Sequence, residues 1–538
     1  MNLILSCGKF YTMDKDNPHA EAVAIKDGII KAVVSDADIL KLKTENTEIV
    51  ELNGKAVVPG FNDSHFHMIN TSGKITMVDL AGTGSIDELI NRFKEFIKEN
   101  NIAEGTVVIG SGWSQSFFKE KRDPTRYDLD KISDAHPIIA VRACYHICSL
   151  SSLALIHYGI DKDTAPQEGG EIVKDENGEP NGILCEHDAW KVYQSGDAFS
   201  IAELEERILI VVSHLSKMGI TSVHSDDFSE RAHYNSVYNA YVNLAKAGKL
   251  NVRVSQKCRS AKLDDYKKML ELPQVDESVA PYFKLNSVKI MADGGLGART
   301  AYLKEDYHDD PGNRGMPLYT KEEFEAIVEL AHEKDMPVAV HAIGDETIEW
   351  CMDAVKKAQR KSPKPNIRHG IIHCTVTDKK LLDDFKDNNI VAYVQPIFID
   401  MGWDFISDRV GAEKSATIYA FKSLMDMGVK IPFGSDSPVE TYNPFKNIYC
   451  AVTRKGLQGL PGSGFNPTEA LSVHEAVYAY TTDGAYASYE EDVKGIIKPG
   501  MYADMAVLER DIFESEPERL KDTEVEMTIF DGKIVYKK

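Results

Sequence analysis

The sequence predicts an α/β fold, a (β/α)8 TIM barrel with a small β-sandwich domain built from both termini. Three observations carry that prediction. The middle of the chain alternates short apolar strands with amphipathic helical stretches, the pattern of βα units around a parallel sheet. Eight strand candidates stand there, the number such a barrel requires. Both ends of the 538-residue chain are β-rich in a different style, with alternating polarity and turn residues.

The N-terminal part, residues 1–60, contains "EAVAIKDGIIKAVV" and "TEIVELNGKAVVPG", with turns at Lys26-Asp27-Gly28 and Asn53-Gly54. The first barrel strand lies in "VVPGFNDSHFH" (57–67), where Pro59-Gly60 marks the crossing out of the sandwich. Residues at about 101–200 hold Gly, Pro, Trp and several loops, and are expected as an insertion covering one face of the barrel. Seven further strands follow at 219–227, 250–258, 285–295, 336–345, 367–374, 390–399 and 429–438. Helical patterns such as "KEEFEAIVELAHEKD" and "DKKLLDDFKDNN" separate them. The barrel is expected over 61–490, and the sandwich resumes over 491–538 with "ADMAVLERD" and "EVEMTIFDGKIVYKK". Sharing one domain between the two ends would bring the termini together.

Composition narrows the function. Hydrophobic (43%) and charged (27%) fractions are those of a globular protein. A net charge of −22 argues against nucleic acid and anionic membrane as partners. The start, "MNLILSCGKFYTMDKDN", lacks a basic segment and reads as a strand rather than an export signal, and no apolar run is long enough to span a bilayer. Eight scattered cysteines form no CxxC pair, although Cys144 and Cys148 flank His146; buried thiols in the cytoplasm are the expectation.

Active sites of such barrels lie at the C-terminal ends of the strands. His65 and His67 end the first strand, Lys289 lies in the fourth, His341 in the fifth and His373 in the sixth, and Asp436 ends the eighth. Residues i and i+2 of a strand share a face, so His65 and His67 can both point into the barrel mouth. Neutral imidazoles and carboxylates are the ligands a divalent ion takes. Each residue also has a plain structural role open to it. His341 could be satisfied by Asp345, His373 could pair with His369 or a backbone carbonyl, and Asp436 could cap a helix. Lys289 is the exception, because an unpaired buried ammonium is costly. Six such residues at the same end of successive strands favour a metal site.

Read together, "VVPGFNDSHFH", "VKIMADGGLGARTA", "HAIGD", "RHGIIHC" and "FGSDSP" resemble the metal-dependent amidohydrolase superfamily, in its N-substituted formamide deformylase-like branch, amidohydrolase family 3. "GSGWSQ", "HICSLSSLAL", "NGILCEHDAW", "LSVHEAVYAYTTDGAYAS" and "KGIIKPGMYADMAVL" extend the likeness over nearly the whole chain. The resemblance implies that His65, His67 and Asp436 bind the more buried metal. It places Lys289 at a bridging position, as a carboxylated lysine or a neutral amine, and gives His341 and His373 to a second metal or to the first metal and the substrate. One ion or two both accord with these residues, and zinc is the expected metal. Two positions depart from the pattern: Asp293-Gly294-Gly295 lacks the usual serine, and "IIHC" lacks a carboxylate before its histidine.

The expected reaction is hydrolysis of a non-peptide C–N bond in a small molecule, of amide, N-acyl or N-formyl amine type. Asp436 is the expected general base, and His341 or His373 the group stabilising the oxyanion. Trp113, His146, Arg299 and Trp403, with Phe398, are candidates for substrate contact. The segment 302–320 is expected as a lid or a surface loop. A lactone, carbamate or phosphoester hydrolase is the alternative enzyme; an inactive scaffold is the remote one, since such relatives usually lose ligands and this chain keeps six. Relatives are often dimers, so a homodimer is the expected assembly.

Overall fold

Seven strands form one parallel sheet and are hydrogen-bonded in chain order. They are β1 (Phe61–Phe66), β2 (Ile220–Ser225), β3 (Arg253–Arg259), β4 (Phe283–Met291), β5 (Val338–Ala342), β6 (Gly370–His373) and β7 (Val391–Tyr393). Every residue of β1 and β2 is buried, as expected of strands covered on both faces. The coordinates are a computed structural model describing residues 1–144, 146–193, 198–229, 232–260 and 262–538, with the backbone alone for Trp190 and Tyr193.

The eighth run, expected as a strand over 429–438, makes no regular ladder. Pro432 and Pro438 lack an amide donor, and Asp436 has a left-handed φ of 58°. The run nevertheless closes the barrel. Ser64 N–H donates to Phe433 O (2.8 Å), Asp436 N–H to His65 O (2.8 Å) and His67 N–H to Ser437 O (3.0 Å) on one side. Gly434 N–H donates to Val394 O (3.0 Å) on the other.

The ends of the chain form two further sheets. Leu3–Ser6, Ala22–Lys26, Ile29–Val34 and Glu48–Glu51 make the first. In the second, Ala56–Pro59 from the N-terminal part pairs antiparallel with Met505–Leu508 from the C-terminal part. Leu5, Val23 and Ile25 of the first sheet share one apolar core with Phe10, Val57, Met505 and Ile529 of the second. From there the chain enters β1 through Gly60, where a Cβ would lie 2.1 Å from Thr221 Oγ1; only glycine passes so close.

Two compact units divide the chain: Met1–Asn70 with Ser200–Lys538, and Thr71–Phe199. The second unit has its own six-stranded sheet, and the helix Ile86–Glu99 buries Leu89, Ile90 and Phe93 in an apolar cluster of that unit. Among the described residues, no helix is long and apolar enough to cross a membrane. All eight cysteines are free thiols.

Candidate active site

The barrel brings the predicted polar residues together at the C-terminal ends of its strands. β1 carries His65 inward, and the chain turns after Phe66 so that His67 meets the same point. His67 Nε2 lies 3.0 Å from Asp436 Oδ1, and His65 Nε2 lies 3.2 Å from the same oxygen. Lys289 Nζ, from β4, is 3.3 Å from His65 Nε2. The His373 ring stands 5.6 Å from that of His65 and 4.4 Å from that of His341. Backbone strain accompanies this arrangement: His373 (φ 78°) and Asp436 (φ 58°) both occupy the left-handed region. Gly434 allows the closing segment to lie against β1, since a Cβ there would sit 2.6 Å from His65 N.

Electrostatics keep most of the imidazoles neutral. Burial, followed by the charges of Lys289 and Lys257, drives His65 well below the usual histidine range. Burial also lowers His341 to about 3 and His373 well below its ordinary value. His67 goes the other way: burial opposes its charge, but the hydrogen bond to Asp436 and the charge of Asp226 outweigh it. Lys289 falls to about 8 through burial, held there by Asp226 and Asp436.

This donor set fits a divalent ion. The ligand atoms of His65, His67 and Asp436 all lie within 4.8 Å of one another. Ligands bound at about 2.0–2.2 Å around a tetrahedral ion stand roughly 3.4 Å apart, close to the spacings seen here. His67 Nδ1–H donates to the Asp226 carbonyl (2.8 Å), which leaves Nε2 as the lone-pair donor. His373 Nδ1 is likewise held by Gln395 Oε1 at 2.8 Å. The Asp226 carboxylate is fully buried, with neither oxygen hydrogen-bonded among the described residues, an arrangement that calls for nearby positive charge.

Residues 48–536 match the family described as "Amidohydrolase family". The chain belongs to that family. The Bacillus subtilis (strain 168) protein named "Putative amidohydrolase YtcJ" is 34% identical, covering 100% of both chains. N-substituted formamide deformylase of Arthrobacter pascens is 26% identical, over 98% of this chain and 97% of its own. Among solved structures, an uncharacterized metal-dependent hydrolase from Pyrococcus horikoshii OT3 superposes with a TM-score of 0.76 at 27% identity, covering 96% and 99% of the two chains.

Asp345 and His369, the side-chain partners first expected for the amidohydrolase's His341 and His373, are engaged elsewhere. Asp345 accepts from Lys304 N–H and pairs with Lys414, while His341 Nε2 faces Gly294 O (3.4 Å) and Asp293 Oδ1 (3.5 Å). His369 pairs with His332 at 3.0 Å instead of with His373. Asp293 accepts from Ile343, Gly344 and Tyr302 N–H, fixing the end of β5, and burial raises its carboxyl to about 6. Where a serine is missing at Gly295, Thr300 Oγ1 accepts the Gly295 N–H at 3.0 Å.

The substrate-contact candidates are scattered. Phe398 stacks on His373, with ring centroids 5.7 Å apart. Trp403 ends the short helix that Phe398 begins. Arg299 grips Asp309 through two hydrogen bonds of 3.0 and 2.8 Å, and Arg409 pairs with the same carboxylate, pinning the segment expected as a lid. In the second unit, Trp113 is fully buried and stacked on Phe118, whereas His146 is exposed and 2.8 Å from Glu186. A separate cavity of about 350 Å³, lined by Met13, Lys15, Val429, Lys430 and Tyr478, contains none of the six residues.

Sequence reasoning passed over Asp226, Lys257, Arg259 and Gln395. Their signal was available: each is a polar residue at or near the end of an apolar strand, in "HSDD", "QKCR" and "YVQP". Lys257 is wholly buried and donates to Ser64 O (2.8 Å) and His224 O (2.9 Å), tying β1 to β2 beneath the site.

Proposed function

We propose that this amidohydrolase cuts a non-peptide C–N bond in a small molecule, of amide, N-acyl amine or N-formyl amine type. The observation that carries the reading is the meeting of His65, His67 and Asp436 at the barrel mouth, with Lys289, His341 and His373 around them. The relative named N-substituted formamide deformylase supports an N-formyl or N-acyl amine as the substrate class.

In this reading His65, His67 and Asp436 hold one divalent ion. Lys289, as a carbamate or a neutral amine, would help to hold it, and His341 and His373 would hold a second ion or assist the first and the substrate. Zinc suits a set this rich in imidazole. The ion supplies Lewis-acid polarisation of the scissile carbonyl and lowers the pKa of water. Asp436 takes the proton of the attacking water and returns it to the departing nitrogen, which leaves poorly unless protonated. His341 or His373 stabilises the developing oxyanion. The same residues could serve a lactone, carbamate or phosphoester, which is the second reading. Eight free thiols suit a reducing cytoplasm, and a homodimer is the assembly we expect.

Metal analysis of the purified protein, followed by a screen of N-acyl, N-formyl, carbamate and lactone compounds, tests the proposal. Bound metal and turnover of an N-acyl or N-formyl amine are expected. Asp436→Asn should lower kcat by about a thousandfold or more while the protein stays folded. Absence of metal, with no rescue by zinc or manganese, would overturn the enzyme reading; turnover of lactones alone would overturn the choice of bond.

A further inference from the structure

Two residues apart on β3, Lys257 and Arg259 share a face of the strand. Lys257 reaches the carbonyls of Ser64 and His224 across the barrel, so that face is the barrel interior. Arg259 therefore points inward one layer higher, at the level of the candidate active site. Its register confirms the height, because Arg259 is the ladder partner of Lys289.

The guanidinium is poorly occupied for a group in that position. Its side chain is 40% exposed, and the carboxylate it faces, Asp226 Oδ2, lies 3.7 Å from Nη1, beyond hydrogen-bond distance. Among the described residues no hydrogen bond to the Arg259 side chain is made. The backbone beneath it is fixed: Tyr266 Oη–H reaches both Ser260 O (2.7 Å) and Lys289 O (2.5 Å), and Tyr319 Oη–H reaches Ser260 O (3.4 Å). A planar fork of donors on a rigid strand end, open beside the metal ligands, suits a planar monoanion that accepts two hydrogen bonds. Asp226 and Asp436 nearby disfavour a dianion such as phosphate.

We propose that Arg259 anchors a carboxylate of the substrate, making the preferred substrates of this amidohydrolase carboxylate-bearing amides. The inference rests on the C–N hydrolase reading and names its substrate class. Arg259 takes no part in bond cleavage; it fixes the substrate so that the scissile carbonyl meets the site.

Matched pairs of compounds test this on the metal-loaded full chain: an N-acetyl amino acid against its carboxamide, and an N-succinyl amine against its N-butyryl counterpart. The wild type should favour the charged member of at least one pair. In Arg259→Met, the charged-to-neutral ratio of kcat/KM should fall by roughly 10- to 100-fold, chiefly through KM, and Arg259→Lys should recover part of it. An unchanged ratio in Arg259→Met, or a wild type that favours the neutral members, overturns the proposal. Should Arg259→Met fail to fold, Arg259→Gln is read against the same ratio. If the wild type cleaves none of the compounds, the hydrolase reading is decided by the metal analysis and wider screen above, and calorimetric binding of the N-acetyl amino acid and the N-succinyl amine decides for Arg259. At least tenfold weaker binding of either in Arg259→Met sustains the anchor; equal affinities, or no binding to the wild type, refute it.

Discussion

The two ends of strand β3 carry an arginine each, and the two could hardly be treated more differently. Arg253, at the foot of the barrel, is 1% exposed and held by Asp504 through two hydrogen bonds of 2.6 and 3.1 Å. Its guanidinium also lies 3.7 Å from the ring centroid of Tyr502. Arg259, at the mouth, is 40% exposed and has no hydrogen-bonded carboxylate among the described residues. The same contrast extends around the barrel. At the foot, Lys284 and Lys494 both reach Glu490, at 3.3 and 2.8 Å. At the mouth, Lys289 is buried beside neutral His65, and the buried Asp226 carboxylate lacks donors among the described residues. The foot has its charges matched, whereas the mouth keeps charges and lone pairs in reserve. A barrel divided this way suits stability at one end and, under the proposed function, chemistry at the other.

Removing a partner at the foot should therefore cost stability first. Asp504→Ala leaves Arg253 buried with only the more distant Asp531 carboxylate, 3.7 Å away, in the joint between β3 and the C-terminal sheet, and is expected to destabilise the fold by about 3 kcal/mol. Chemical unfolding followed by tryptophan fluorescence and circular dichroism reads this directly. Turnover per folded molecule should persist, because Asp504 and the site occupy opposite ends of β3. A variant that unfolds at the wild-type midpoint would break the comparison.

A pH series sharpens it. Burial would raise the Glu490 carboxyl, but Lys494 and Lys284 outweigh burial and hold it down at about 2, against an ordinary 4.5. The unfolded chain then binds the proton at higher pH than the folded one. The stabilisation is complete above about 4.5 and is lost as the pH falls toward 2. Its steepest loss is about 1.4 kcal/mol per pH unit. Glu490→Gln should start less stable at pH 6 and lose less between pH 4.5 and 3. Parallel curves for the two proteins would show that the foot is not matched by charge.

The contrast between the ends also explains what was legible in the sequence. Seven of eight strand candidates, the crossing at Pro59-Gly60 and the joining of the terminal sheets follow from hydrophobic period and turn residues, which local sequence records. The eighth strand did not follow, because Phe433–Ser437 hydrogen-bonds as a strand on both sides without strand backbone angles at Asp436. His65, His67, Lys289, His341, His373 and Asp436 were visible as polar residues where apolar strands end. Asp504 could not be matched to Arg253 from sequence, being 251 positions away. Residues 71–100, read as part of the barrel, group with the second unit, whose sheet begins at Val78–Asp79. Gln395 was legible only as a polar residue at a strand end; its orienting role follows once His373 stands against it.

That amide yields the smallest and most specific effect expected at the mouth. Gln395 Nε2 donates to Tyr393 O at 3.3 Å, so its Oε1 is turned toward His373 Nδ1, 2.8 Å away. The amide oxygen can only accept, so the proton of the imidazole sits on Nδ1 and the lone pair on Nε2. Burial keeps the ring neutral, although the Gln395 bond opposes that shift. Gln395→Ala removes the restraint, letting the ring rotate and the other tautomer form. If His373 serves the metal site, its zinc affinity, measured by chelator competition, or its kcat should fall by about 10- to 100-fold. The unfolding midpoint should shift far less than in Asp504→Ala, since one neutral hydrogen bond is worth about 1 kcal/mol. Gln395→Glu keeps an acceptor toward Nδ1 and should restore affinity that alanine loses. Equal metal affinity and kcat in all three proteins would mean that His373 is held by packing against Phe398, and that the mouth depends on its orienting bonds no more than the foot does.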